Sequence, residues 1–165
     1  MTLPDAETLI QQLADIIRPD MTPNMVLVGM HTGGVWAAQR LHPLLDAGMP
    51  HGSLDISFYR DDFGQKGLHP TVKPTHLPFE VEDRDILLVD DVLFTGRSVR
   101  AAMNALFDYG RPQRIRLAVL IDRVEDRQLP IAADYVGAAL QVPATQHIHL
   151  IQQENKTLML KLVNL

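Results

Sequence analysis

The sequence predicts an α/β domain in which a central, mainly parallel sheet is flanked by helices, and three stretches carry that prediction. Residues 25–30, 86–89 and 115–121 are near-continuous apolar runs, the pattern of strands covered on both faces. Each ends in polar residues: His31-Thr32-Gly33-Gly34, Asp90-Asp91 and Asp122-Arg123. Ligands bind open parallel sheets outside the carboxyl ends of the strands, so the three polar ends mark one crevice.

The chain opens with a helix over about residues 5–17, with an apolar stripe of Leu9, Ile10, Leu13, Ile16 and Ile17. Pro4 suits its first turn and Pro19 helps to end it, so its role is packing. Strand 25–30 runs through the His31 loop into a helix carrying Val35, Trp36, Ala37, Ala38 and Leu41. Two glycines there expose successive N–H groups to an anion, and Trp36 is assigned to core or interface. Residues 53–59 alternate Leu54, Ile56 and Phe58 with Asp55, Ser57 and Tyr59, a strand with one face less buried. Residues 63–84 contain Pro70, Pro74 and Pro78 and show no helical period, which marks a functional or mobile loop.

After strand 86–89, Val99, Ala102, Met103, Leu106 and Phe107 recur on one face of a helix that stops at Gly110, with Pro112 behind it. With strand 115–121 this makes a right-handed βαβ unit the expectation. Residues 147–152 and 157–163 read as two strands joined through Gln153, Glu154 and Asn155, with no chemical role assigned.

The chemistry concentrates in residues 86–98, Ile-Leu-Leu-Val-Asp-Asp-Val-Leu-Phe-Thr-Gly-Arg-Ser. Free N–H groups at a helix start suit a phosphate, and Thr95 and Ser98 add hydroxyl donors. Gly96 lets the backbone approach closely or take a positive φ. Asp90 and Asp91 would repel a phosphate they touched, but they match hydroxyls or a divalent cation shared with the substrate. Phosphate at one end and a diol at the other describe a sugar phosphate.

Composition narrows the class further. The 165 residues, 46% of them hydrophobic, suit one domain with one core. A net charge of -5 lacks the overall electrostatic footprint of a strong nucleic-acid binder. There is no cysteine for a disulfide framework, and neither a signal peptide nor a membrane span is evident, so a cytoplasmic protein is expected.

Residues 86–98 resemble the phosphoribosyl pyrophosphate (PRPP) motif of type I phosphoribosyltransferases: an apolar run, two acids, three residues, then Thr-Gly-x-Ser/Thr. Phe-Asp-Tyr-Gly-Arg-Pro at 107–112, Leu-Ala-Val-Leu-Ile-Asp-Arg at 117–123 and Leu-Asp-Ile-Ser-Phe-Tyr-Arg-Asp-Asp at 54–62 resemble the PyrR family of pyrimidine-operon regulators, whose members are also uracil phosphoribosyltransferases.

The resemblance implies a single phosphoribosyltransferase domain over 1–165, with a small hood from about 130–165 plus the N-terminal helix. The implied reaction forms uridine monophosphate (UMP) and diphosphate from uracil and PRPP with Mg2+. PRPP binding would fall to Asp90, Asp91, Val92, Leu93, Phe94, Thr95, Gly96, Arg97 and Ser98, with His31, Thr32, Gly33, Gly34 and Arg60. Asp90, Asp91 and Arg60 would be catalytic; Asp61, Asp62, Asp90 and Asp91 would meet the metal, mostly through substrate or water. The base site is assigned to Asp122, Arg123, Tyr135 and Val136, and residues 63–84 to a lid with Lys73 as a phosphate contact.

Three departures qualify the match. The family commonly has Thr-Arg-Gly where this chain has Thr32-Gly33-Gly34, which removes a cation that a protonated His31 would partly replace. Purine-using relatives place an Asp before the Thr-Gly, and Phe94 there argues against a purine. Ala133 and Ala138 stand at family-typical basic positions, so a UMP-responsive, RNA-binding attenuator ranks second. A homodimer or higher homo-oligomer, with no membrane partner, completes the expectations.

Overall fold

Residues 1–56 and 75–165 are described by the computed structural model. The expectations for Ser57, Phe58, Tyr59, Arg60, Asp61, Asp62, Pro70, Lys73 and Pro74 lie outside the described residues. In chain order come α1 (Ala6–Ile17), β1 (Met25–Met30), α2 (Gly33–Leu45), β2 (His51–Leu54), β3 (Asp85–Leu93), α3 (Arg97–Tyr109), β4 (Arg114–Asp122), β5 (Tyr135–Ala139), β6 (Gln146–Gln152) and β7 (Leu158–Asn164). Five strands form one sheet in the order β2-β1-β3-β4-β5, and every neighbouring pair is parallel. The β6–β7 hairpin is a separate antiparallel sheet.

The apolar runs are buried on both faces because successive side chains leave a strand on opposite sides. Leu27, Leu87, Val89, Ala118 and Leu120 join the core shared with α1, α2 and the hairpin. Val26, Val28, Ile86, Leu88 and Val119 join the core under α3. Asp5 caps α1 by accepting from Thr8 N at 2.8 Å. Ile16 departs from its expected stripe and is 47% exposed, while Ala6 and Ala14 complete the buried face.

Phe107 departs in the same way, being 57% exposed. The buried face of α3 centres on Ala102, and five residues at roughly 100° each put Phe107 about 140° from that centre. The helix ends at Gly110, whose φ of 152° is open to glycine.

Two strands differ from expectation because of their neighbours. β2 begins at His51 and loses its pairing after Leu54, which lies opposite Met30, the last residue of β1. Leu54 and Ile56 are buried, as their alternation requires. β3 continues past the apolar run to Leu93, so Asp90 and Asp91 lie within the strand. Its pairing with β1 stops at Val89, whereas its pairing with β4 extends to Leu93 opposite Asp122. One side of the acidic segment is therefore open to the loop that follows β1.

The hood is narrower than expected. β5 is the fifth strand of the main sheet, so residues 135–139 belong to the sheet edge. The β6–β7 hairpin caps the cleft, and α1 packs against α2, β5 and β7.

Candidate active site

A cleft of about 560 Å³ lies at the carboxyl ends of β1, β3 and β4, beneath β6. Three parallel-strand ends and a helix start meet there, as the sequence pattern requires. His31, Thr32 and Gly33 line one wall; Asp90, Asp91, Val92, Phe94, Thr95, Arg97 and Ser98 line another. Leu93 and Gly96 line a smaller adjoining cavity of about 70 Å³, shared with Asp90, Thr95 and Ser98. That cavity stands at the start of α3, where Arg97 N donates to Thr95 Oγ1 at 3.2 Å and the positive end of the helix dipole favours a phosphate.

The loop after β1 is pressed against the open side of β3. A Cβ on Gly34 would lie 2.4 Å from Val89 O, and one on Gly33 would lie 2.3 Å from Asp91 Oδ2. A larger residue at 34 would displace the backbone of β3, and one at 33 would require the Asp91 side chain to turn aside. The His31–Thr32 peptide bond is cis, and His31 N donates to Leu54 O at 3.0 Å, which joins the loop to β2.

The phosphate-side loop is braced from behind. Gly96 has φ 95°, in the left-handed region, and α3 starts at the next residue. Gln128 N and Leu129 N donate to Thr95 O at 3.0 and 3.2 Å, and Arg127 Nη1 donates to Phe94 O at 3.3 Å. Arg127 also pairs with Asp122. Asp90 Oδ1 accepts from Asp91 N at 2.9 Å, which orients the first carboxylate along the strand.

The base site assigned from the sequence does not assemble. Asp122 is held in its pair with Arg127 and does not line the cleft. Tyr135 begins β5, opposite Ala118 in the middle of β4, and its hydroxyl donates to Asp20 Oδ2 at 2.8 Å and accepts from Arg116 Nη1 at 2.7 Å. Burial, reinforced by the Asp20 bond, raises that hydroxyl above the usual tyrosine value. Tyr135 lines a separate cavity with Asp20, Arg114, Arg116 and Asp134, and Val136 packs on the core under α3. Because β5 runs parallel to β4, its first residues cannot reach a cleft at the strands' carboxyl ends. Arg123 alone of the four lines the cleft.

Other residues take the vacant wall. Trp36, His147, Ile148, His149 and Leu150 all line the cleft, which corrects the absence of any role assigned to 147–152. The His147-Ile148-His149-Leu150 alternation puts both histidines on one face of β6, a signal present in the sequence. Burial first, then the charges of Arg123 and His149, hold His147 below the ordinary histidine value of 6.5; Asp126 opposes them.

The donor set bears on a metal. Among the described residues no group of three or more His, Cys, Asp or Glu could hold an ion. Two carboxylates opening on a cleft beside a phosphate cavity fit instead an ion held largely by substrate oxygens, the usual habit of Mg2+. Among the described residues no helix is long and apolar enough to cross a membrane.

Comparison with known proteins matches residues 3–154 to the phosphoribosyl transferase domain family. The bifunctional protein PyrR of Pseudomonas entomophila is 47% identical over 154 residues, covering 91% of this chain and 89% of that protein. The bifunctional protein PyrR of Pseudomonas savastanoi is also 47% identical, covering 91% and 90%. Among solved structures, a hypoxanthine phosphoribosyltransferase from Staphylococcus aureus superposes with a TM-score of 0.66 at 22% identity, covering 83% of this chain and 73% of that one. The hypoxanthine phosphoribosyltransferase from Trypanosoma cruzi gives 0.64 at 24% identity, covering 82% and 77%. These two likenesses concern the fold.

Proposed function

The chain belongs to the phosphoribosyl transferase family and, within it, to the PyrR group, and on that premise we propose that it is a cytoplasmic uracil phosphoribosyltransferase that makes UMP and diphosphate from uracil and PRPP. One observation carries the reading. A phosphate-sized cavity at a helix start adjoins two strand-borne carboxylates in a single cleft closed by a hood.

In this reading the 5-phosphate of PRPP enters the cavity under Thr95, Gly96 and Ser98, and Asp90 and Asp91 hold the ribose hydroxyls. Uracil N1 bonds to ribose C1, the C1–O bond to diphosphate breaks, the oxygen keeps the electron pair, and the N1 proton is released. Positive charge develops on the ribose in the transition state, where two nearby carboxylates stabilise it. The loop 31–34 offers N–H groups to the departing diphosphate, and the hood limits water, so transfer to the base is favoured over hydrolysis. Mg2+ bound with PRPP would neutralise charge on the diphosphate, with Asp90 and Asp91 as the protein groups available to it. Fixed placement of donor and acceptor supplies much of the acceleration.

Phe94, where purine-using relatives carry Asp, supports a pyrimidine. The relatives' name, bifunctional protein, keeps the RNA-binding attenuator as the second reading, although the chain's net charge of -5 lends it no general support. A turnover assay over uracil, cytosine, hypoxanthine and guanine with PRPP and Mg2+ tests the main reading. Product formed from uracil alone supports it; preference for a purine would overturn it.

A further inference from the structure

The hood completes a wall of the cleft in which Phe94, Arg123, His147 and His149 come together. Arg123 Cζ stands 4.2 Å from the centre of the Phe94 ring, and the His147 ring meets Phe94 edge-on at 5.7 Å. One aromatic side chain of the PRPP loop thus touches both the end of β4 and the first part of the hood hairpin.

Only one of these groups is both sheltered and placed to offer a hydrogen bond. Arg123 is 2% exposed, and its N–H groups point into the protein. Nε donates to Asp126 Oδ2 at 2.9 Å, Nη1 to Gln146 O at 3.1 Å, and Nη2 to Val142 O at 3.3 Å, with Asp126 Oδ2 also 2.7 Å from Nη2. A guanidinium so engaged braces its surroundings and has little left for a ligand. Phe94 offers only a ring, and His149 is exposed. His147 is partly buried, lines the cleft and is oriented by its ring contact with Phe94.

We propose that His147 is the side chain that hydrogen-bonds the incoming pyrimidine, and that Arg123 is a positioning residue that fixes Phe94 and the hood strand relative to one another. The assignment rests on the uracil phosphoribosyltransferase reading. A neutral imidazole presents one donor and one acceptor, which suits a small ring whose edge alternates carbonyl and N–H groups. Burial and the facing charges of Arg123 and His149, partly offset by Asp126, favour that neutral form; Phe94 and Val163, opposite His147 on β7, bring no charge. Arg123 contributes through the carbonyls of Val142 and Gln146, the second of which immediately precedes His147.

Steady-state kinetics of the full chain with uracil and PRPP, with melting temperature as a check on folding, test both parts. Two substitutions remove the hydrogen bond by different routes: His147→Phe keeps an aromatic contact with Phe94, and His147→Leu discards it. Either one that folds suffices. Each raises KM for uracil about tenfold while KM for PRPP stays within about twofold, the size of one neutral hydrogen bond. His147→Asn, which keeps a donor and an acceptor, recovers most of the loss. Asp126→Asn, which loosens Arg123 without removing it, raises KM for uracil and leaves KM for PRPP in place. Unchanged KM for uracil in the His147 variants, or equal increases in both KM values, overturns the role of His147. Equal increases in Asp126→Asn overturn that of Arg123. Wild-type protein that turns over no uracil removes the parent reading and this assignment together, whereas wild-type turnover with indifferent His147 variants removes this assignment alone.

Discussion

Gly33 and Asp91 occupy adjoining parts of one space: a Cβ on residue 33 would stand 2.3 Å from Asp91 Oδ2 and 2.5 Å from its Cγ. The loop after β1 and the acidic end of β3 are fitted to each other, and a side chain at residue 33 would take the space that the Asp91 carboxylate now fills. Adding the cation that the family commonly carries in this loop would mean turning that carboxylate aside, because the stem of the new side chain enters its space.

Gly33→Ala should therefore act through Asp91. Overpacking here is expected to cost about 1–3 kcal/mol of stability and to raise KM for PRPP at least about tenfold. In an Asp91→Ala background, urea denaturation should show that cost reduced by at least about 0.5 kcal/mol, the mark of residues in contact. Additive costs would show that the two do not share the space.

Gly96 and Gly110 flank α3 and separate function from folding. Gly96 has φ 95°, and a Cβ there would lie 3.1 Å from Ile131 beside the phosphate cavity. Gly96→Ala should cost about 1–3 kcal/mol from the left-handed backbone and also weaken PRPP binding. Gly110→Ala, at φ 152° and 3.0 Å from Glu82 N, should destabilise similarly and leave KM for PRPP within about twofold. Calorimetric melting and PRPP titration on both variants make the comparison.

Asp85 anchors the opposite end of the sheet and predicts a pH dependence. It is 2% exposed and accepts from Thr22, Arg114 and Arg116, each at 2.8 Å. Burial alone would raise its carboxyl, but hydrogen bonds from Arg114 and Thr22 and the nearby charge of Arg116 outweigh that and hold it below the usual 3.8. A carboxyl depressed on folding contributes stability that is complete above 3.8 and is lost as pH falls through the lower folded value. Asp85→Asn should cost about 3–5 kcal/mol at neutral pH because Arg116 loses its buried partner. The gap from wild type in urea should narrow as pH drops below 3.8, while kcat at neutral pH stays within about twofold.

What could be read from the sequence was local. Residues 86–98 form one uninterrupted strand, loop and helix, so their chemistry followed from their order, and β1 has the bounds that its apolar run marks. The placement of Tyr135 and Val136 failed because it depends on β5 lying parallel to β4 with Tyr135 opposite Ala118, a register no local pattern reports. His147 and His149 were visible as an alternating pair, but the side of the hairpin that would face the cleft depends on its packing over β3 and α2. Arg123 was recognised as cleft-lining, while its commitment to the Val142 and Gln146 carbonyls required the hood to be in place.

The central claim is that Asp90 and Asp91 act on the ribose of PRPP while uracil is the acceptor. It is tested most directly by the initial rate of UMP formation from uracil, PRPP and Mg2+, compared between the wild type and the Asp90→Asn/Asp91→Asn double variant. The account predicts uracil-dependent UMP formation by the wild type and a fall of at least about a hundredfold in the double variant, with its melting temperature close to that of the wild type. A double variant that folds and forms UMP at the wild-type rate would contradict it.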